Sequence, residues 1–117
     1  MNAQILEDRL IEFAANIIVA GQHLDKSFAA EHLSKQLIRS ATSVALNYGE
    51  ARAGESTRDY LHKMKICLKE LRESYVNLKI QKQSKTITNQ DLIDNLLDEN
   101  NQLISIFVVS IKNTKTN

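Results

Sequence analysis

The chain has 117 residues, of which 43% are apolar, 25% are charged and 5% are aromatic, and its formal net charge is +1. This composition fits one globular domain, long enough to bury roughly two-thirds of the surface that the unfolded chain exposes. The sequence has no Pro and only three Gly, which argues against a fold of many short strands, because such folds need these residues at their turns.

The first half of the chain predicts two amphipathic helices, at about residues 4–22 and 28–52. In each, apolar residues recur at steps of three and four, which places them on one face of a helix. Gly54 follows the second helix as a stop signal. The two apolar stripes are Leu6, Leu10, Phe13, Ile17, Ala20 and Leu24, then Leu33, Leu37, Ala41, Val44 and Tyr48.

The second half predicts two further helices, at about residues 56–84 and 89–112. Ser56 with Asp59, and Thr88 with Asp91, have the spacing of capping boxes at the two helix starts. The tail after the fourth helix is expected to fray. The apolar stripes are Leu61, Met64, Leu68, Leu71, Tyr75 and Leu78, then Ile93, Leu96, Leu97, Leu103, Phe107 and Ile111.

These four helices predict an all-α protein, a single domain over residues 1–117. Because the three connections are short, consecutive helices should be antiparallel neighbours, and the predicted architecture is an up-and-down antiparallel four-helix bundle.

The sequence offers no constellation for catalysis, and we expect neither an enzyme nor a bound cofactor. His23, His32 and His62 lack the spacing that brings two ligands to one metal on a helix. Cys67 lies on a Leu-rich helix, where it is expected to act as a small apolar residue. Glu70 and Glu73 lie beside Lys69 and Arg72, which favours surface ion pairs. No catalytic, metal-binding or cofactor-binding residue, and no small-molecule substrate, is therefore predicted.

The same features predict a cytoplasmic protein. The first residues lack the basic and long apolar regions of a secretory signal. The longest apolar run, 106–109, is far below the roughly 20 residues that span a bilayer, and a lone Cys67 forms no intrachain disulfide. No membrane partner is expected.

A polar stripe accompanies the apolar stripe of the second helix. Small polar side chains in a helix interior suggest a close, hydrogen-bonded contact, here with another subunit, and chance spacing on a solvated face is the alternative. With the adjacent Arg39, the predicted oligomer face is Gln36, Arg39, Ser40, Ser43, Asn47 and Glu50.

A basic ridge follows the third helix at heptad spacing. Residues 56–85 hold eight Lys or Arg against three Asp or Glu, whereas residues 89–111 hold four acids and no base. Such a ridge can bind nucleic-acid phosphates weakly and without sequence preference, or it can meet the acidic helix of the same or a neighbouring subunit. The candidate nucleic-acid-binding residues are Arg58, Lys65, Lys69, Arg72 and Lys79.

The segment RSATSVALNYGEARAGESTRDYLHKMKICLKELRES, residues 39–74, resembles the bacterial S23 family of four-helix bundles, also called 23S rRNA intervening-sequence proteins. About a third of the chain carries the resemblance. The matching residues are Leu33, Gln36, Leu37, Arg39, Ser40, Ala41, Ser43, Val44, Asn47, Glu50, Ala51, Ser56, Asp59, Tyr60, Lys63, Leu68, Lys69, Glu70 and Glu73.

The resemblance implies a homo-oligomer, namely a pentameric barrel, with no enzymatic activity and no catalytic residue. It also raises binding to RNA or DNA, because family members are encoded within ribosomal RNA insertions. We therefore expect a non-enzymatic oligomeric scaffold that binds nucleic acid weakly. The alternative is a protein–protein adaptor with no nucleic-acid role.

Overall fold

The computed structural model describes residues 1–114, which form four α-helices and one short 3₁₀ turn. Of the tail predicted after the fourth helix, residues 113–117, Asn113 is the last residue of that helix, and residues 115–117 lie outside the described residues. The helices are α1 Ala3–Ala20, α2 Phe28–Arg52, α3 Thr57–Ser84 and α4 Gln90–Asn113.

The helices pack side by side in an elongated molecule with principal extents of 51 × 21 × 20 Å. Each helix packs against its neighbours in the order α1, α2, α3, α4, and α4 returns to α1. The α2–α3 pair makes the most extensive contact and the α1–α4 pair the least. The predicted four-helix bundle is confirmed.

Each helix begins at a residue whose side chain caps the first turn. Asn2, Ser27, Ser56 and Asn89 each accept a hydrogen bond from a backbone N–H three residues later, at 2.8–3.1 Å. Such caps satisfy donors that a helix start leaves without an intrahelical partner. The sequence-based choice of Thr88 as the fourth cap is wrong, because the Thr88 side chain bonds to the α1–α2 connection instead.

The α1–α2 and α3–α4 connections meet at one end of the bundle. α1 ends at Ala20, two residues before the predicted boundary, and the 3₁₀ turn Gly21–His23 follows. Leu24 and Ile87 then form an isolated antiparallel bridge. The flanking hydrogen bonds are Asp25 N–H to Thr86 O at 2.8 Å, Thr88 N–H to His23 O at 2.7 Å, and Thr88 Oγ1 to His23 O at 2.8 Å.

The core contains most of the predicted apolar residues, but α3 is rotated relative to the predicted stripe. Leu61, Leu68 and Tyr75 are only partly buried. Cys67, Ser74 and Gln81 occupy fully buried positions in their place. These side chains satisfy their polar groups inside the protein, since Cys67 contacts a backbone oxygen of α2, Ser74 bonds to a backbone oxygen of α3, and Gln81 bonds to two neighbouring side chains.

The predicted apolar stripe of α4 has no member between Leu97 and Leu103, and Asn100 occupies the core position there. Its side chain is fully buried and its Nδ2 donates to the backbone oxygen of Leu71 at 2.9 Å. Its Oδ1 has no hydrogen-bond partner within residues 1–114. A polar side chain thus joins α3 and α4 in the middle of the core.

None of the helices in the described part of the chain is both long enough and apolar enough to span a membrane.

Candidate nucleic-acid and assembly surfaces

The five residues of the basic ridge lie exposed along the outside of α3. From Arg58 to Lys79 the ridge runs about 30 Å at the helical rise of 1.5 Å per residue. None of the five takes part in an ion pair with residues 1–114. The ammonium of Lys79 lies 5.0 Å from the ring centroid of Tyr75, within the range of a cation–π contact. The ridge is therefore a row of charges that face solvent.

Two of the four acidic residues of α4 form ion pairs with the described part of the chain, and neither partner belongs to the ridge. Asp94 contacts Lys82 of α3 at 2.6 Å. Glu99 receives two hydrogen bonds from Arg9 of α1, at 2.6 and 3.1 Å, and this pair raises the pKa of Arg9. Within one chain, α4 does not neutralise the ridge.

The predicted oligomer face lies on α2, and two of its residues form ion pairs with α3. Arg39 donates to Glu70 at 3.1 Å and to Glu73 at 3.0 Å. Glu50 pairs with Lys63 at 2.7 Å. The prediction that Glu70 is a surface residue is wrong, because it is only 5% exposed. Its partner is Arg39, across the contact between α2 and α3, which we call the α2–α3 seam. A buried carboxylate needs a cation within reach.

The remaining residues of the predicted face differ in exposure. Ser40 is buried and accepts a hydrogen bond from Arg39 at 3.2 Å. Asn47 donates to the hydroxyl of Ser43 at 2.9 Å, and both are half-buried. Gln36 is exposed. Most of the stripe thus stabilises α2 or its contact with α3.

The two predicted sets of residues meet in a groove between α2 and α3. The groove has a volume of about 490 Å³. Gln36 and Ser40 of the polar stripe face Lys69 and Arg72 of the ridge across it. Apolar side chains form much of the rest of its lining, namely Leu33, Val76 and Ile80.

Leu46 is a candidate contact residue that sequence reasoning missed. It is 70% exposed and lies one turn from Ser43 and from Glu50 on the outside of α2. The available signal was a large apolar residue among polar ones, off the core stripe. Single exposed apolar side chains are normal on protein surfaces, so Leu46 marks a contact only together with the polar residues around it.

The structure places Cys67 in the core and the three histidines on the surface. Cys67 is fully buried, and burial raises the pKa of its thiol to about 12, so the reactive thiolate is disfavoured at neutral pH. The three histidines are exposed. Across residues 1–114, no three His, Cys, Asp or Glu side chains cluster as metal ligands would.

The fold and these surfaces define a class of protein, a small antiparallel four-helix bundle with a polar α2–α3 seam and an outward basic ridge. The family model described as 23S rRNA-intervening sequence protein matches residues 5–108, and the chain belongs to that family.

A solved structure is closely similar. It is described as a protein with unknown function from the S23 ribosomal protein family of Bacteroides thetaiotaomicron. The TM-score is 0.85 at 27% sequence identity, over 96% of this chain and 99% of that chain. No curated protein gives a significant match.

Proposed function

We propose that this protein is a non-enzymatic, self-associating helical scaffold whose basic ridge binds nucleic-acid backbones weakly and without sequence preference. The observation that carries the proposal is the ridge itself, in which five exposed bases have no ion-pair partner within residues 1–114. The family description refers to 23S rRNA, which agrees with a nucleic-acid partner.

The spacing of the ridge suits phosphate contacts better than base recognition. Bases seven residues apart recur about every 10 Å along one side of the helix. Long, solvated Lys and Arg side chains can reach backbone phosphates at such intervals, and these contacts carry no sequence information. Each contact releases counterions, so affinity depends strongly on salt.

Self-association would strengthen weak phosphate contacts, because several copies of the ridge would act together. The contact between copies would lie on the outside of α2 around Leu46, which is 70% exposed and one turn from Ser43 and from Glu50. The polar neighbours can supply the hydrogen-bonded rim that interfaces place around an apolar centre. The family resemblance suggests a pentamer.

Salt-dependent binding tests the nucleic-acid role. For mixed-sequence RNA, we expect affinity to fall at least tenfold between low and physiological salt, and Lys65→Glu with Arg72→Glu to abolish binding. Fluorescence anisotropy with labelled RNA measures both. The control is Lys26→Glu with Lys35→Glu, which makes the same charge change away from the ridge and should weaken binding far less. Equal loss in both double variants would contradict a role for the ridge.

Light scattering tests the assembly. Wild-type protein should have a mass several times 13.3 kDa, and Leu46→Glu should shift it toward the monomer. The control is Ile18→Glu, since Ile18 is 51% exposed on α1 and lies outside the α2 face. A wild-type mass of 13.3 kDa at all concentrations would overturn the assembly claim.

The second candidate is a protein–protein adaptor, which the apolar lining of the α2–α3 groove favours. Val76 is 52% and Ile80 is 48% exposed there. If RNA and DNA fail to bind even at low salt while the protein assembles, the adaptor function replaces the nucleic-acid role.

A further inference from the structure

A second cavity opens at the end of the bundle opposite the bridged connections. It has a volume of about 560 Å³ and lies between the start of α1, the end of α4, and residues of α2 and α3. This volume lies within the range of pockets that hold small molecules. A neighbouring cavity of about 380 Å³ shares Tyr48 and Tyr60 with it. The basic ridge begins at this end with Arg58, which does not line the cavity, and the residues of the α2–α3 groove lie elsewhere.

The cavity combines apolar walls with two phenols. Leu6, Ile106 and Val109 contribute apolar surface, and Tyr48 and Tyr60 both line it. The lining side chains carry no charge, and the one charged group among the lining residues is the α-ammonium of Met1, a residue that is 70% exposed. A lining of this kind suits an uncharged ligand with an apolar body, because a charged ligand would lose its hydration against walls without a charged side chain.

Tyr48 is the residue that points to a ligand. It is only 3% exposed, and its ring packs edge-on against Phe107 at 5.8 Å between centroids. Its phenol oxygen is not among the fully enclosed polar atoms, and it has no hydrogen-bond partner within residues 1–114. Burial raises the pKa of this phenol, so it remains an O–H donor at neutral pH.

The ring of Tyr48 packs without help from its hydroxyl group. Tyr48 contacts Phe107 through its ring, and a Phe side chain would make the same packing contact. Because the phenol oxygen is not fully enclosed, its hydroxyl can donate to water or, in place of that water, to an acceptor that enters the cavity.

We propose that this bundle-end cavity binds a small uncharged ring compound that carries one hydroxyl or carbonyl group, with Tyr48 donating a hydrogen bond to that oxygen. The apolar walls contact the ring system. Tyr48 is thus a binding residue, and the site is independent of the proposed nucleic-acid and assembly surfaces.

The test compares two probes of equal size, 2-naphthol and 2-methylnaphthalene, by equilibrium dialysis against the full chain. We expect saturable binding of 2-naphthol. Tyr48→Phe should weaken 2-naphthol about five- to tenfold, the value of one hydrogen bond, and should leave 2-methylnaphthalene unchanged. The matched control is Tyr75→Phe, because Tyr75 lies on α3 beneath Lys79 and does not line the cavity.

A second variant tests the cavity itself. Val109 is 55% exposed at the cavity wall, so Val109→Trp can occupy the space without disturbing the core, and it should weaken both probes. Val109→Trp still tests whether the probes bind in this cavity if Tyr48→Phe fails to fold. Absence of saturable 2-naphthol binding, equal 2-naphthol affinity in wild type and Tyr48→Phe, or no effect of Val109→Trp would each overturn the proposal.

Discussion

Several polar side chains are buried in the α2–α3 seam, where they have hydrogen-bond partners. Cys67 contacts the backbone oxygen of Val44 at 3.5 Å, and Ser74 bonds to the backbone oxygen of Glu70 at 2.9 Å. Small polar groups of this kind let two helices approach closely while they satisfy their own hydrogen bonds. The seam is thus a packed, hydrogen-bonded contact within one chain.

Cys67 predicts a loss of stability at alkaline pH. Burial holds the thiol pKa at about 12 in the folded protein, against an ordinary value of 9.0. The unfolded chain therefore loses this proton first as pH rises, and ionisation favours unfolding between the two values, with an upper limit of about 4 kcal/mol. Below pH 9 the contribution is fully present.

Urea unfolding of the wild type and Cys67→Ala at several pH values measures this effect. The variant lacks the thiol, while other groups titrate alike in both proteins. The advantage of the wild type should therefore shrink as pH rises above 9. A constant difference across this range would show that Cys67 does not titrate with folding.

Arg39 predicts a large effect from removal of a single cation. The Glu70 side chain is 6% exposed and the Arg39 side chain is 57% exposed. Arg39→Met leaves a buried carboxylate without its partner and should destabilise the protein by about 2–3 kcal/mol. The control is Lys35→Met, because Lys35 and Glu31 form a pair with side chains 76% and 70% exposed, which should cost less than about 0.5 kcal/mol. Equal losses, measured by urea unfolding, would contradict the role assigned to Arg39.

At the scale of the helices, the end of α3 is strained. Lys85 has φ 58° and ψ 30°, the left-handed region, and its N–H donates to the backbone oxygen of Gln81. A side chain in this conformation is less favourable than glycine. The strain lies at the connection that carries the bridge to Leu24.

Lys85→Gly should therefore stabilise the protein by about 0.5–1 kcal/mol and raise its melting temperature. The control is Gln83→Gly, which places glycine inside the last turn of α3 and should destabilise by about 0.5–1 kcal/mol. Calorimetry compares the two. A lower melting temperature in both variants would show that the Lys85 side chain makes a contact worth more than the strain.

At the scale of the whole molecule, the two ends of the bundle differ. The α1–α2 and α3–α4 connections are joined by the Leu24–Ile87 bridge and its flanking hydrogen bonds. At the other end, a cavity is lined by residues of all four helices, Tyr48 and Tyr60 among them. The bridged end is expected to open less readily, because opening it breaks contacts between both connections at once.

Amide hydrogen exchange measures this asymmetry. Asp25 and Thr88 lie outside the helices, yet their N–H groups bond across the two connections at 2.8 and 2.7 Å. They should exchange at least tenfold more slowly than the amides of the α2–α3 connection, residues 53–56. Thr88→Val removes the hydroxyl bond to His23 and should speed exchange at Asp25. Fast exchange at Asp25 and Thr88 in the wild type would contradict the expected stability of the bridged end.

The sequence by itself determined the fold class, because four apolar stripes at helical period and short connections allow few other packings. The same periodicity gave the position of the basic ridge, since residues seven apart on one helix must share a face. The spacing of Ser56 and Asp59 predicted Ser56 as a cap, because a capping box involves only residues within one turn.

Only the tertiary structure decided which groups meet between helices. The sequence placed Glu70 on the surface and Leu68 in the core, whereas Glu70 is buried and Leu68 is only partly buried, because the rotation of α3 is set by the helices that pack against it. Thr88 does not cap α4, because its side chain bonds instead to His23, which lies 65 positions away in the sequence. Local spacing fixes what one helix presents, whereas the contacts of the Tyr48 cavity and the Arg39 ion pairs arise only where separate helices converge.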